Sequence, residues 1–200
     1  MIFINNSLFL YSFKLDFMLK KGLLFFLFSC CISCSIYIRG VKSNISTVMT
    51  RDISLIKSYS DKTDICDISY TDTSKVILLN GKDFHDCIIT KGKVVIYVWD
   101  GHCKGSYCYS LNAMQDYFRD KDIAFYILSE YYDYDLMNAK YNIDYPIIGI
   151  DPKYYNTDIV RIYIKRFFKD MEIERTNLNR IIFLENGKYI KSVSAIEDIS

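Results

Sequence analysis

The sequence predicts an α/β fold: a central mixed β-sheet flanked by helices. Three observations carry that prediction. Lys93-Val94-Val95-Ile96-Tyr97-Val98-Trp99 is an unbroken apolar, β-branched and aromatic run, the pattern of a buried central strand. Tyr107, Leu111, Met114 and Phe118 then recur at helical spacing ahead of a second apolar run, Ile123-Ala124-Phe125-Tyr126-Ile127-Leu128. A strand–helix–strand unit of that length forms a right-handed parallel crossover, so the two strands are expected to be sheet neighbours. Finally, Ile181-Ile182-Phe183-Leu184 and Tyr189-Ile190-Lys191-Ser192-Val193 flank Glu185-Asn186-Gly187-Lys188, and Asn-Gly between apolar runs is the strongest short hairpin signal. The sheet is therefore expected to be parallel at its centre and antiparallel at one end.

Composition bounds the rest. Two hundred residues suffice for one domain of ordinary size plus a tail or anchor. A formal net charge of +1 offers no electrostatic case for nucleic acid as a partner. Abundant Tyr, Phe and Ile with only two prolines suit a β-rich core and not long disordered linkers. Of the seven cysteines, Cys30, Cys31 and Cys34 crowd into an apolar leader. Cys66, Cys87, Cys103 and Cys108 remain for the folded part, which points to redox chemistry over a disulfide scaffold and is compatible with an oxidising compartment.

Taken in order, residues 1–30 read as a targeting leader. Met18-Leu19-Lys20-Lys21 is a short basic start and Leu23-Leu24-Phe25-Phe26-Leu27-Phe28 an apolar core of signal-peptide length; the signal is complete from Met18, an alternative start. Leu27-Phe28-Ser29-Cys30 resembles the lipobox of bacterial lipoproteins, which implies lipidation of Cys30, with Cys31 and Cys34 as alternatives. The competing reading is one anchoring helix over residues 22–38, at the low end of the ~17–25 residues that span a bilayer. Either way residues 40 onward face away from the cytoplasm. Residues 31–73 are polar and irregular and read as a spacer and entry segment, with Ile53-Ser54-Leu55-Ile56 as a short strand.

The domain proper is expected over 74–200. Val76-Ile77-Leu78-Leu79 predicts a strand closed by Asn80-Gly81, and residues 83–89 a short helix before the central strand. A helix of about four turns should follow the cysteines. Residues 133–143 read as helical and Pro146-Ile147-Ile148-Gly149-Ile150 as extended. Asp158 can cap a helix over 158–169 with Ile159, Ile162, Tyr163 and Phe167 on one face.

The chemistry concentrates where the central strand ends, in Asp100-Gly101-His102-Cys103-Lys104-Gly105-Ser106-Tyr107-Cys108. Two residues five apart in one α-helix lie roughly 140° apart around its axis, at about 100° per residue, so a bond between the two thiols requires Cys103 to sit in a loop. Gly105 lets the chain bend, Ser106 is expected to cap the helix, and Cys108 would then occupy its first turn, where the dipole favours a thiolate. His102 and Lys104 flank Cys103, and positive charge there lowers a thiol pKa. Such a loop brings the pair within disulfide reach.

A strand ending in Trp99, then three residues, then Cys103 near the head of a helix resembles the active-site segment of thioredoxin-like proteins, and the element order over about 74–194 is similar to that fold. Residues 133–170 are longer than the minimal fold requires, and the extra length resembles the insertion before the terminal hairpin in membrane-anchored thioredoxin-like lipoproteins, while residues 195–200 leave the family's last helix short or absent. The resemblance implies Cys103 as attacking thiol, Cys108 as resolving thiol, and no cofactor. Three features depart from the family pattern: four residues separate the cysteines where the family has two, no proline stands near Asn177-Leu178-Asn179 where it has a cis-proline, and Tyr97 occupies the place of a buried carboxylate.

The resulting expectation is a thiol–disulfide oxidoreductase, lipid-anchored in the bacterial cell envelope with its domain facing the periplasm or exterior. Its partners would be the thiols and disulfides of extracytoplasmic proteins, or a redox partner protein. Two other readings stand beside it. One is a catalytically degenerate module that binds a protein or peptide; the other is a metal site built from His85, Cys87, His102, Cys103 and Cys108, although four intervening residues is loose for zinc. Cys66 and Cys87 otherwise read as buried apolar side chains. The clusters Tyr131-Tyr132-Asp133-Tyr134 and Tyr154-Tyr155 read as core-edge packing before recognition surface.

Overall fold

The computed structural model describes residues 40–58, 76–138, 143, 147–174 and 178–199. The leader, with Met18, Cys30, Cys31 and Cys34, lies outside the described residues, as do Cys66, Pro146 and Asn177. Residues from Val41 onward cluster as one unit.

Seven strands form one mixed sheet flanked by helices. They are β1 (Ile56–Ser58), β2 (Val76–Leu79), β3 (Lys93–Trp99), β4 (Ala124–Ser129), β5 (Ile147–Ile150), β6 (Ile181–Glu185) and β7 (Lys188–Val193). Their spatial order is β1-β2-β5-β4-β3-β6-β7. The first five run parallel, while β3–β6 and β6–β7 are antiparallel. As the crossover argument requires, β3 and β4 are parallel neighbours, with Val95 opposite Phe125. The hairpin turns at Asn186 and Gly187, both at positive φ (50° and 76°), the conformation a tight hairpin turn demands and Asn-Gly tolerates.

Both faces of the sheet are covered, which is why its central strands are continuous apolar runs. Because side chains alternate across a strand, β3 divides its residues between two cores. Val94, Ile96 and Val98 pack with helices α2 (Gly81–Ile88) and α5 (Val160–Asp170), through Phe84, Ile88, Tyr163, Ile164, Phe167 and Phe168. Val95, Tyr97 and Trp99 pack with α1 (Ile45–Arg51) and α3 (Leu111–Phe118), through Val48, Leu111, Met114 and Phe118. Gly81 is needed where α2 meets α5, because a Cβ there would run into the backbone carbonyl of Phe167.

Several elements differ from expectation. The segment read as spacer and entry is in part integral to the domain: residues 40–58 supply α1, a 3-10 turn (Ile53–Leu55) and the edge strand β1. Asp158 does not cap α5, which starts two residues later behind Ile159. Its carboxylate instead pairs with Lys42 Nζ (3.4 Å) and its carbonyl accepts from Ser43 N (2.7 Å), tying the entry segment down. The buried face is also shifted from the one expected: Ile164 and Phe168 join Tyr163 and Phe167 inside, while Ile162 is exposed. Within 133–143 the described helix is α4 (Tyr134–Asn138), opened by Asp133, whose Oδ1 accepts from Asp135 N (2.9 Å) and Leu136 N (3.1 Å). A 3-10 turn, Ile196–Ile199, ends the described chain.

The tyrosine clusters are largely structural. Tyr132 is fully buried and donates to Ile150 O (2.6 Å). Tyr155 donates to Asp170 Oδ2 (2.9 Å) and accepts from Gly81 N (2.8 Å) at the α2–α5 contact. Burial holds both hydroxyls above the ordinary tyrosine pKa, so they act as neutral donors.

Candidate functional site: a disulfide loop at the end of the central strand

At the carboxyl end of β3 the chain turns sharply around Asp100. The Asp100 carbonyl accepts from Cys103 N (3.0 Å) and its Oδ1 from His102 N (2.9 Å), an Asx-type turn that sets the direction of Cys103. A second turn closes with Cys108 N donating to Gly105 O (3.1 Å). Between the two turns Cys103 and Cys108 are joined by a disulfide, with their Cα atoms 5.6 Å apart.

The helix after this loop corrects the expected placement of Cys108. Ser110, not Ser106, is the cap: its Oγ accepts from Ala113 N (3.2 Å) and its carbonyl from Met114 N (3.1 Å). Helix α3 therefore begins at Leu111, and Cys108 lies in the loop. The turn at Gly105–Cys108 uses the residues that would have formed a first helical turn, while Leu111, Met114 and Phe118 are buried as their spacing predicts. Tyr107, expected on the buried helical face, is 55% exposed in the loop. Helix-dipole activation of Cys108 is thereby lost, and α3 is shorter than the four turns expected.

The loop faces another segment across the sheet end. Cys103, Gly105, Tyr107 and Cys108 share a groove of about 380 Å³ with Leu178, Asn179 and Arg180; Ser106 and Ser194 complete its lining. The segment Asn179-Arg180 is held from two sides. Asn179 N and Nδ2 donate to Ser192 Oγ (3.1 Å) and Ser192 O (3.2 Å) on β7, while Arg180 O accepts from Val98 N (2.8 Å). Among the described residues every peptide bond is trans.

Arg180 was not singled out by the sequence. Its guanidinium Nη1 donates to Val98 O (3.1 Å) and its Nη2 lies 3.7 Å from Asp100 Oδ2. It thus touches the residue that builds the turn under Cys103. A signal for it exists in the chain, since Arg180 immediately precedes the apolar run of β6, but its meaning depends on the β3–β6 register.

His102, one of the two cations expected to act on Cys103, is committed elsewhere: its Nε2 lies 3.2 Å from Asp133 Oδ2, and its ring packs edge-on against Tyr131. Any positive charge on the imidazole is offset by that carboxylate. Lys104 remains exposed in the loop. Tyr97 donates to Tyr109 O (2.8 Å). Burial raises its pKa, with the charge of Arg180 working in the opposite sense, and the hydroxyl serves as a neutral pin on the far arm of the loop.

The five residues of the metal reading are not brought together. Among the described residues no three His, Cys, Asp or Glu side chains converge to hold an ion. His85 Nε2 instead lies 3.1 Å from Gly187 O, and Cys87, buried against the sheet, is itself disulfide-bonded, contrary to its reading as a simple apolar side chain.

No family model matches the chain, and no curated protein or solved structure matches it at a significant level.

Proposed function

We propose that the chain is a thioredoxin-like thiol–disulfide oxidoreductase of the bacterial cell envelope, anchored by lipid at Cys30, with Cys103 and Cys108 as its redox pair. The observation that carries this reading is the Cys103–Cys108 disulfide opening onto a groove shared with residues 178–180. A disulfide set in a concave site beside backbone segments is placed to meet a substrate chain. The topology is consistent with the family: β3, the cysteine loop, α3 and β4 form a parallel crossover, and the antiparallel β6–β7 hairpin closes the sheet on the other side of β3. On this reading β5, lying between β2 and β4, is what the inserted length adds.

In the reducing direction, the thiolate of Cys103 attacks one sulfur of a substrate disulfide, forming a mixed disulfide and releasing the first substrate thiolate. The Cys108 thiolate then attacks the Cys103 sulfur, closes the intramolecular bond and releases the second. Two electrons pass from the protein dithiol to the substrate; run backwards, the same steps oxidise a substrate dithiol. No cofactor enters.

Equilibration in graded thiol–disulfide buffers tests the assignment. The pair should exchange reversibly with a midpoint in the range of known redox proteins, about −120 to −270 mV. Acid quenching, alkylation and peptide mass analysis would follow it separately from the Cys87 disulfide. A pair still oxidised below about −300 mV would behave as a structural crosslink and favour a binding module instead. That second reading draws on Tyr97 in place of a carboxylate and on the lack of a proline near Asn177-Leu178-Asn179.

The anchor has its own test. Expressed in a bacterial host, the full chain should incorporate labelled fatty acid, and Cys30→Ser should abolish the label. Persistent labelling would move the site to Cys31 or Cys34; an unlabelled wild type would favour an uncleaved helix.

A further inference from the structure

We infer that Arg180 makes this groove selective for anionic substrates, specifically cysteine-containing peptide segments with acidic residues beside the reacting sulfur. The inference rests on the oxidoreductase reading and deepens it. Among the described residues that line the groove, Arg180 is the one cation and no carboxylate is present. The neighbouring lining, Gly105, Ser106, Leu178, Asn179 and Ser194, is neutral.

Arg180 is anchored without being used up. Its side chain is 30% exposed, its Nη1 bonds to Val98 O, and its Nη2 reaches Asp100 Oδ2 at 3.7 Å, too far for a hydrogen bond. A guanidinium carries more N–H donors than these contacts use, arranged as a planar fork that fits a carboxylate. Asp100 offsets part of the charge, but its other oxygen is held by His102 N, and the residue does not line the groove. Lys104, next to Cys103 in the chain and exposed, carries charge of the same sign but does not line the groove. An incoming acidic segment would therefore gain a fixed partner, while a basic one would be repelled. Asn179 is bonded to Ser192, and Arg180 to Val98 through both its carbonyl and its Nη1, which holds the guanidinium in place before substrate arrives.

Disulfide exchange with synthetic peptides tests this. The reduced full chain would be mixed with disulfide-linked homodimers of blocked Glu-Cys-Glu, Ser-Cys-Ser or Lys-Cys-Lys. In each case the protein dithiol becomes the Cys103–Cys108 disulfide and the peptide disulfide becomes two peptide thiols. Dividing each rate by that of dithiothreitol with the same peptide removes the intrinsic reactivity of the peptide. At low ionic strength the acidic peptide should react about tenfold faster than the basic one, the ratio shrinking as salt is raised. Arg180→Gln should bring the ratio to within about twofold of one, and Arg180→Lys should keep part of it, losing the fork but not the charge. Equal normalised rates in the wild type, or an undiminished ratio in Arg180→Gln, would overturn the selectivity and leave the oxidoreductase reading standing. A wild type that exchanges with none of the peptides would overturn both. Should Arg180→Gln not fold, the wild-type charge and salt dependence decides the matter together with Arg180→Lys.

Discussion

Replacing Val95 with aspartate is expected to unfold the domain. Val95 is 0% exposed at the middle of β3, between Phe125 of β4 and Phe183 of β6, on the face packed by Met114 and Phe118 of α3. A carboxylate there leaves water with no cation or donor to receive it, whether it ionises or takes up a proton. The cost is several kcal/mol, against a total stability of about 5–15 kcal/mol for a domain of this kind. Lys93→Ser, two residues away on the same strand but exposed, should stay within about 0.5 kcal/mol of wild type. Urea unfolding followed by circular dichroism measures both. A soluble Val95→Asp protein that melts cooperatively near the wild-type midpoint would mean that β3 does not lie at the centre of the sheet.

The second large effect is expected at the cysteines. Cys108→Ser should lose all multiple turnover in disulfide reduction yet trap mixed disulfides through Cys103, because nothing remains to resolve them. Cys103→Ser should lose turnover and trap nothing. The structure sharpens this contrast: with α3 starting at Leu111, no helix dipole favours Cys108, whereas Lys104 adjoins Cys103 and the Asp100 turn aims its backbone. In the reduced wild type, alkylation across pH should give Cys103 an apparent pKa below the ~8.5 of a free cysteine. With no cis-proline loop beside it, the site is expected to trap few partners. If Cys108→Ser traps nothing and both thiols titrate like free cysteine, the groove is a binding site and not a redox centre.

The strands were legible in the chain because burial on both sides leaves short, continuous apolar runs rich in β-branched and aromatic residues. The runs at 76–79, 93–99, 123–128 and 181–184 each hold a strand, the second of the central pair starting one residue later and ending one later than its run, at Ala124–Ser129, and the Asn186-Gly187 turn identified the hairpin by local backbone physics alone. Nearest-neighbour rules then supplied the parallel β3–β4 pair. Helix starts were less legible. Ser106 and Asp158 have the right chemistry for caps, but so do many serines and aspartates; Ser106 lies inside the turn closed from Cys108 N to Gly105 O, which leaves Ser110 to cap the helix, and Asp158 is claimed by Lys42 and Ser43 from the entry segment.

For the site, the sequence by itself determined the two thiols, the loop position of Cys103 and its place at the end of the central strand, since each follows from residues near one another in the chain; it put Cys108 in a helical turn, whereas the structure leaves it in the loop. What tertiary structure alone decided is everything the loop faces. Arg180 reaches Val98 and Asp100 because β6 runs antiparallel to β3, in a register that places the residue before β6 beside the last turn of β3. His102 lost its role as a free cation because Asp133, at the entry to α4, lies 3.2 Å away. β5 took its position between β2 and β4 through sheet pairing that no local periodicity encodes. Contacts between residues far apart in sequence depend on how the strands are ordered, and strand order is settled by the packing of both sheet faces together, not by any single segment.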